Sequence, residues 1–527
     1  MVRPRHDSFC QEPCVSSTVN ISCWIKSNGI HRQEKPVPAI RPPLPRQRGV
    51  IALLLGATLL GMLAVLGLAL DLAQLYNRKA ELQIMADAAA IAAARELNGT
   101  ASGIDNAVAA AATAAGKFTY RYNALAVQWS NNAVRFAATP ATPDDNWADA
   151  AAAQGAPTRM LYAKVDTRQL ASDPGLVETV FMRLGGVGGG DAETAARAVA
   201  GRASTLVTPL AICAQSATPA AARANVSGNS GYNELVEFGF RRGVAYDLMQ
   251  LNPHDVTPAH YLIDPLAAPG TTGTAGDFAT AVVGPFVCTG QLAMPTVSGD
   301  KLTVQRGFPL LDLYRQLNSR FDDYTGKLCL AETAPPDSNI KPFVYTTSWM
   351  APAAATQTAA TWISGGKLWT RADPLPGDAS NTAPQYGPLW AGARAVPYSA
   401  YVAQPVEPAS GYSVFATSAW SSLYTPGPPS ASGYPTNKST ATPYSQTGGA
   451  SYFQAPSTPH LPGVANRRVL NVALLACPVA AGAIASASVL GVGRFFMTVP
   501  ATSSSLSAEF AGVAPAASLS GAVELKR

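Results

Sequence analysis

Chemistry needs side chains that ionise, ligate or attack, and their densest local supply lies between residues 247 and 264. His254 and His260 stand there with Asp247, Asp255 and Asp264, a donor set that would suit a divalent metal if the intervening loop brought it together. Pro253 and Pro258 interrupt the stretch, and the two histidines read as surface groups. Cys10 and Cys14 have the spacing of half a zinc site, but no second pair follows. Ser230, in GNSGY, lacks the second glycine that a nucleophile elbow requires. The run GGVGGG at 185–190 is not followed by the Lys-Ser/Thr of a phosphate loop. No catalytic residue, metal ligand or cofactor is expected, and the chain is not read as an enzyme.

The positioning elements begin with one apolar segment. Residues 50–70, VIALLLGATLLGMLAVLGLAL, carry no charge, and at about 1.5 Å per residue a helix of that length crosses the roughly 30 Å hydrocarbon core of a bilayer. A cleaved signal peptide is the competing reading, but its apolar run is usually about 7–15 residues and ends at a cleavage site. Arg41, Arg46 and Arg48 crowd the N-terminal flank, which places that side in the cytoplasm and the rest of the chain outside it. Cys213, Cys288, Cys329 and Cys477 then lie where oxidation persists, and two disulfides are expected in one of three connectivities. Residues 470–493 are also uncharged and long enough for a second span. Asn471, Pro478, Ser486 and Ser488 break them up, so the favoured reading is two short strands joined by a turn.

Charged residues make up 13% of the chain and the net charge is +5. The charged share is about half that of soluble domains, and without a basic stripe interleaved with aromatics no nucleic-acid partner is expected. Residues 1–49 are polar and proline-rich, a disordered cytoplasmic tail that an upstream start assignment would also explain.

Beyond the membrane the helix is expected to run on through residue 97, because Leu68, Leu75, Leu82 and Ala89 recur every seven residues and the next glycine is Gly99. Ala86, Ala88, Ala89, Ala90, Ala92, Ala93 and Ala94 make a small-residue face that admits close approach by a helix or sheet. A second helix is expected over 105–121, a hairpin of 124–129 with 133–138 about Ser130, Asn131 and Asn132, a strand from Met160, a helical stretch over 176–184, and a strand over 195–203 closing the sheet. The fold class is α+β. A long N-terminal transmembrane helix continues into a pilin-like helix-plus-antiparallel-sheet domain, followed by a β-rich, loop-rich C-terminal region. The divisions are 1–49 tail, 50–70 span, 71–204 helix extension and pilin-like domain, 205–402 β-rich domain with a helix over 308–321, 403–463 Pro/Ser/Thr/Gly-rich loop or linker, and 464–527 the C-terminal strands of that domain.

Residues 48–95, RGVIALLLGATLLGMLAVLGLALDLAQLYNRKAELQIMADAAAIAAAR, resemble the N-terminal domain of Tad (tight-adherence, Flp) pilus-assembly proteins of the TadE/TadG-like family. That family shows a glycine at membrane entry, an aspartate and a tyrosine at the exit, a Leu-Gln pair and a D-A-A-A run. Gly49, Asp71, Tyr76, Leu82, Gln83, Asp87, Ala88, Ala89 and Ala90 occupy those places. The resemblance implies other Tad pilus-assembly proteins as partners, a bilayer around the span, and a single-pass bacterial inner-membrane location with most of the chain periplasmic. An anchored adhesin or ligand-binding module is the alternative, and the oligomeric state is left open. Two departures matter. The fifth residue after Gly49 is Leu54 rather than the glutamate of processed pilins, and Asp378, Ser380 and Thr382 follow PLPG rather than a strand, so the metal loop of a von Willebrand type A domain is not expected there. Asp87 is expected to contact a partner or the folded-back sheet.

Overall fold

In the computed structural model the described residues are 50–184, 191–224, 232–294, 297, 301–344, 361–370, 387–424, 434, 442–446, 452–521, 523 and 525–526. The tail with Gly49, Cys10, Cys14 and Cys23, the glycine run 185–190, Ser230, and the triplet Asp378, Ser380 and Thr382 lie outside them. The chain divides into residues 1–63 and residues 64–527.

Of the first unit, residues 50–63 open helix α1, Val50–Glu96, with Leu53, Leu54, Leu55, Leu59 and Leu60 all exposed. Among the described residues this is the one helix long and apolar enough to cross a membrane. It stops where Asn98 and Gly99 follow, the glycine at φ +82°, a left-handed conformation that side chains resist. The Thr100 hydroxyl accepts from the Gly103 N–H at 3.0 Å and starts α2, Ala101–Ala115. That cap begins the second helix four residues before the expected 105, and Gly116 ends it before the expected 121.

Strands β1 (Thr119–Tyr120) and β2 (Leu125–Ala126) pair with each other. Strand β3 (Val134–Ala137) pairs instead with β4 (Tyr162–Asp166), Val134 opposite Val165. The hairpin expected about Asn131 and Asn132 is therefore absent, and those residues form a 3-10 turn, Asn131–Ala133. Burial decides the pairing: Val134, Phe136, Ala163 and Val165 are all fully buried, whereas Leu125 is exposed. A short helix α3, Ala150–Gln154, lies between these strands. Residues 176–184 are not one helical stretch. They divide into β5 (Leu176–Glu178), paired with β6 (Asp191–Glu193), and α4 (Val180–Leu184). Strand β7 (Arg197–Gly201) lies beside β4, and the chain's last strand, Leu525–Lys526, covers its other edge. The alanine face of α1 packs here: Ala86, Ala89, Ala90, Ala93 and Ala94 share a buried core with Ile104, Ala107 and Ala111 of α2 and with Phe136, Val165 and Ala200 of the sheet. The small-residue stripe thus serves the chain's own domain, with no space for a larger side chain at Ala89 or Ala93.

The second core is built on β8 (Leu210–Cys213), β9 (Ala221–Ala224), β10 (Asn233–Glu237), β11 (Phe240–Arg241), β12 (Ala245–Asp247), β13 (His260–Ile263), helix α5 (Thr280–Thr289), β14 (Lys301–Arg306) and helix α6 (Leu310–Asn318). A hairpin of β15 (Thr361–Ser364) and β16 (Lys367–Thr370) follows, then β17 (Val469–Leu475), β18 (Ile484–Met497), β19 (Ser507–Val513) and β20 (Leu525–Lys526). Strands β17, β8, β13, β14 and β18 pair in a closed ring, and β19 and β12 extend from β18. Alternate residues serve two faces: Leu210 and Ile212 join one buried cluster, Ala211 and Cys213 the other. Residues 470–493 are consequently two strands, β17 and the first part of β18, joined by an irregular turn over 476–483, with Val472 opposite Gly493, and not a second span. The helix expected over 308–321 appears as α6 followed by a 3-10 turn, Ser319–Phe321.

The 403–463 stretch requires a correction. Its described part is mostly irregular, yet Trp420, Tyr424, Tyr434 and Tyr444 belong to the main core cluster or pack on it. The Trp420 ring lies 4.6 Å from that of Trp390. Aromatic anchors spaced among Pro, Ser and Gly hold these coils on the sheet, so they are core rather than linker.

The four cysteines pair as Cys213–Cys477 and Cys288–Cys329, with sequence separations of 264 and 41. The first ties β8 to the end of β17. Because the loop closed in the unfolded chain is longer, its removal by Cys213→Ser with Cys477→Ser is expected to cost more than removal of the second, within about 2–5 kcal/mol. Denaturant unfolding of the two double variants checks the order, and equal losses would refute it.

Candidate functional site at the end of the apolar helix

Along α1 a single stripe faces inward: Gly67, Asp71, Arg78, Leu82, Met85, Ala89, Ala93 and, just past the helix end, Leu97 are all buried, at the three-, four- and seven-residue steps of one helical face. Its polar end gathers a segment from far along the chain. Asp71 is 2% exposed, and its carboxylate accepts from the backbone N–H of Phe181 at 2.8 Å and of Met182 at 2.7 Å. Those are first-turn donors of α4, which have no partner within their own helix, so Asp71 acts as a cap supplied from 110 residues away. One turn earlier, a Cβ placed on Gly67 would come within 2.4 Å of the Phe181 ring, so the ring's approach needs a glycine there.

Two turns beyond Asp71, the Arg78 guanidinium donates to the Pro174 carbonyl at 2.6 Å, lies 4.8 Å from the centre of the Tyr120 ring, and reaches Glu81 at 3.4 Å. Glu81 accepts from the backbone N–H of Arg121 at 3.2 Å and of Tyr122 at 3.3 Å. It thereby holds Arg121, Tyr122 and Asn123, three successive non-glycine residues at φ 56°, 55° and 65°, a run that local sterics disfavour. Gln83 donates to Asp87 at 2.7 Å and to the Arg197 carbonyl of β7 at 3.0 Å. Asp87 therefore addresses the folded-back sheet through Gln83, in an open groove also lined by Arg197, Ala198, Leu525 and Lys526.

The structure thus brings Asp71, Leu82, Gln83, Asp87, Ala89 and Ala90 onto packed surfaces of α1, with Ala88 half-buried. Tyr76 is 72% exposed and projects away from them. Sequence reasoning missed Gly67, Arg78 and Glu81. The i, i+3 spacing of Arg78 and Glu81 was a usable signal, although it marks equally well a solvated pair.

The residues that suggested metal chemistry have other work. The His260 Nδ1 accepts from the Phe308 N–H at 2.7 Å, and burial lowers its pKa. Asp264 accepts from the N–H groups of Leu266 and Ala267 at 2.9 and 3.0 Å, and burial raises its pKa. Asp247 accepts from Met249 and Leu506. His254 donates its backbone N–H to Asn252, and Asp255 accepts from Val256. Among the described residues no group of three or more His, Cys, Asp or Glu side chains converges as metal ligands would.

These features define a class of protein: a helix long and apolar enough to cross a membrane, fastened by an aspartate cap to an α+β domain. Residues 49–96 match the family described as putative Flp pilus-assembly TadE/G-like, a Tad domain, the family that Asp71, Leu82, Gln83 and Asp87 indicated. No curated protein and no solved structure matches the chain.

Proposed function

We propose that this protein is an anchored assembly factor, or a minor pseudopilin-like component, of a Tad/Flp-type pilus apparatus that supports adherence, and that it is not an enzyme. The Tad domain match over residues 49–96 carries this reading. On it, α1 crosses the bacterial inner membrane with the N-terminus cytoplasmic, and the two cores stand in the periplasm beside the other pilus-assembly proteins. The two disulfides suit that oxidising compartment, and the arginines before residue 50 suit that orientation. The test is an in-frame deletion. Surface fibres and adherence are expected to be lost while pilin synthesis continues, and normal fibres in the deletion strain would reject the role. Periplasm-active reporters fused after Ala150 and after Arg527 are both expected to be active on the proposed topology.

A further inference from the structure

We infer that α4 and the end of β5 form a second membrane contact, seating Val180 and Phe181 in the interfacial layer of the leaflet from which α1 emerges. This rests on reading residues 50–70 as a span. The segment from Pro174 to Met182 is fixed to α1 at three levels: Pro174 at Arg78, the α4 amides at Asp71, and the Phe181 ring at Gly67. From Arg78 back to Gly67 is eleven residues of helix, roughly 16 Å. The segment therefore runs against the direction of α1, toward the apolar run. Gly67 lies inside that run, three residues before its end at Leu70, so Phe181 is held level with the last turn of the span.

Exposure at this depth has a specific meaning. Val180 is 57% exposed, Phe181 42% and Leu176 48%. Facing water, three large apolar groups on so short a segment forfeit the gain from burial. At the boundary of headgroups and acyl chains the same groups are covered by lipid, as in helices that lie in a membrane surface. The occupant is the bilayer because the segment is continuous in depth with Leu66, Leu68 and Leu70 of α1, all exposed. Attraction to anionic headgroups is not the cause, since Glu178, Asp191 and Glu193 on β5 and β6 are exposed acids. Seating by apolar contact alone predicts equal docking on zwitterionic lipid.

The test uses the full chain in nanodiscs of phosphatidylcholine, with Cys10, Cys14 and Cys23 replaced by serine. A nitroxide is placed singly by Val180→Cys, Leu176→Cys, Leu60→Cys or Val256→Cys, and its relaxation by oxygen is compared with that by a water-soluble nickel chelate. The label at 180 is expected to favour oxygen several-fold over the one at Val256, which marks an exposed loop, with 176 between them. A label at 180 that matches 256 while 60 stays lipid-exposed overturns the docking and leaves the span intact. Protection of 180 from both reagents overturns it in favour of a protein contact, such as a second copy. An aqueous label at 60 removes the span, and the docking with it.

Discussion

Arg468→Met is expected to destabilise the protein by about 3–5 kcal/mol. The side chain is fully buried one residue before β17. Its guanidinium donates five hydrogen bonds to backbone carbonyls: two to Met497 at 3.0 and 2.7 Å, and one each to Asn339, Lys341 and Thr498 at 3.0, 2.8 and 3.0 Å. It rests among the rings of Phe321, Phe343 and Phe496, 4.4–5.0 Å from their centres. Burial pushes its pKa down to about 9, so holding the charge is costly, and methionine would relieve that cost. The loss is nevertheless expected to win, because four backbone carbonyls, Asn339 and Lys341 on one coil and Met497 and Thr498 at the end of β18, lose a donor in a dry interior, each at about 1–3 kcal/mol before relaxation. Arg468→Lys supplies three donors from one point instead of a planar fork and should recover less than half of the loss. Chemical denaturation in detergent reads both, and a methionine variant within about 1 kcal/mol of the parent would show that these carbonyls find other partners.

Glu509 works in the opposite sense on the same sheet. Fully buried on β19, it accepts from the N–H groups of Ala391, Gly392 and Ala393 at 2.6, 3.0 and 2.6 Å, while burial pushes its pKa up to about 8. The two buried side chains, one donating and one accepting, fasten irregular chain to strands where no ladder is available to satisfy it.

These fastenings explain where sequence reading stopped. Helix α1 was legible because its signal is local: a heptad of Leu and Ala, no proline, and Gly99 as the stop. The strands β17 and β18 were legible through Asn471 and Pro478, which disqualified a span. The false hairpin at Asn131 and Asn132 had the local signature, but Val134 and Phe136 gained more by facing the alanine stripe with β4 as partner. A window cannot weigh that contact. Likewise the composition of 403–463 averaged away Trp420 and Tyr424, whose positions carry the packing. Asp71 was found as a motif residue, but its work was not, because the amides it caps lie 110 residues on and have no sequence pattern of their own.

Asp71→Ala is expected to release α4 from α1 and, with it, to cut surface piliation severely while leaving the protein expressed and inserted. Two donors at the start of α4 would lose their acceptor beside a glycine-lined contact that water reaches poorly, a local cost of about 2–4 kcal/mol for hydrogen bonds to a charged group. The helix is five residues long, too short to persist on its own, so the loss should open the whole segment from Pro174 to Leu184. The helix–sheet core is expected to hold, because Leu82, Met85, Ala89 and Ala93 pack independently of this contact. Hydrogen exchange of the 174–184 amides is therefore expected to accelerate by about 30-fold or more, the equivalent of 2 kcal/mol, with little change at 82–97. Asp71→Asn keeps one oxygen at the same place and can still accept from Phe181 and Met182, though without the charge, so it should fall between the parent and the alanine variant. Fibre counts by electron microscopy should follow the same order. Faster exchange with normal fibres would make the cap a structural detail without a part in assembly. Unchanged exchange in the alanine variant would mean that the Gly67–Phe181 contact and the Arg78–Pro174 bond hold the segment without it.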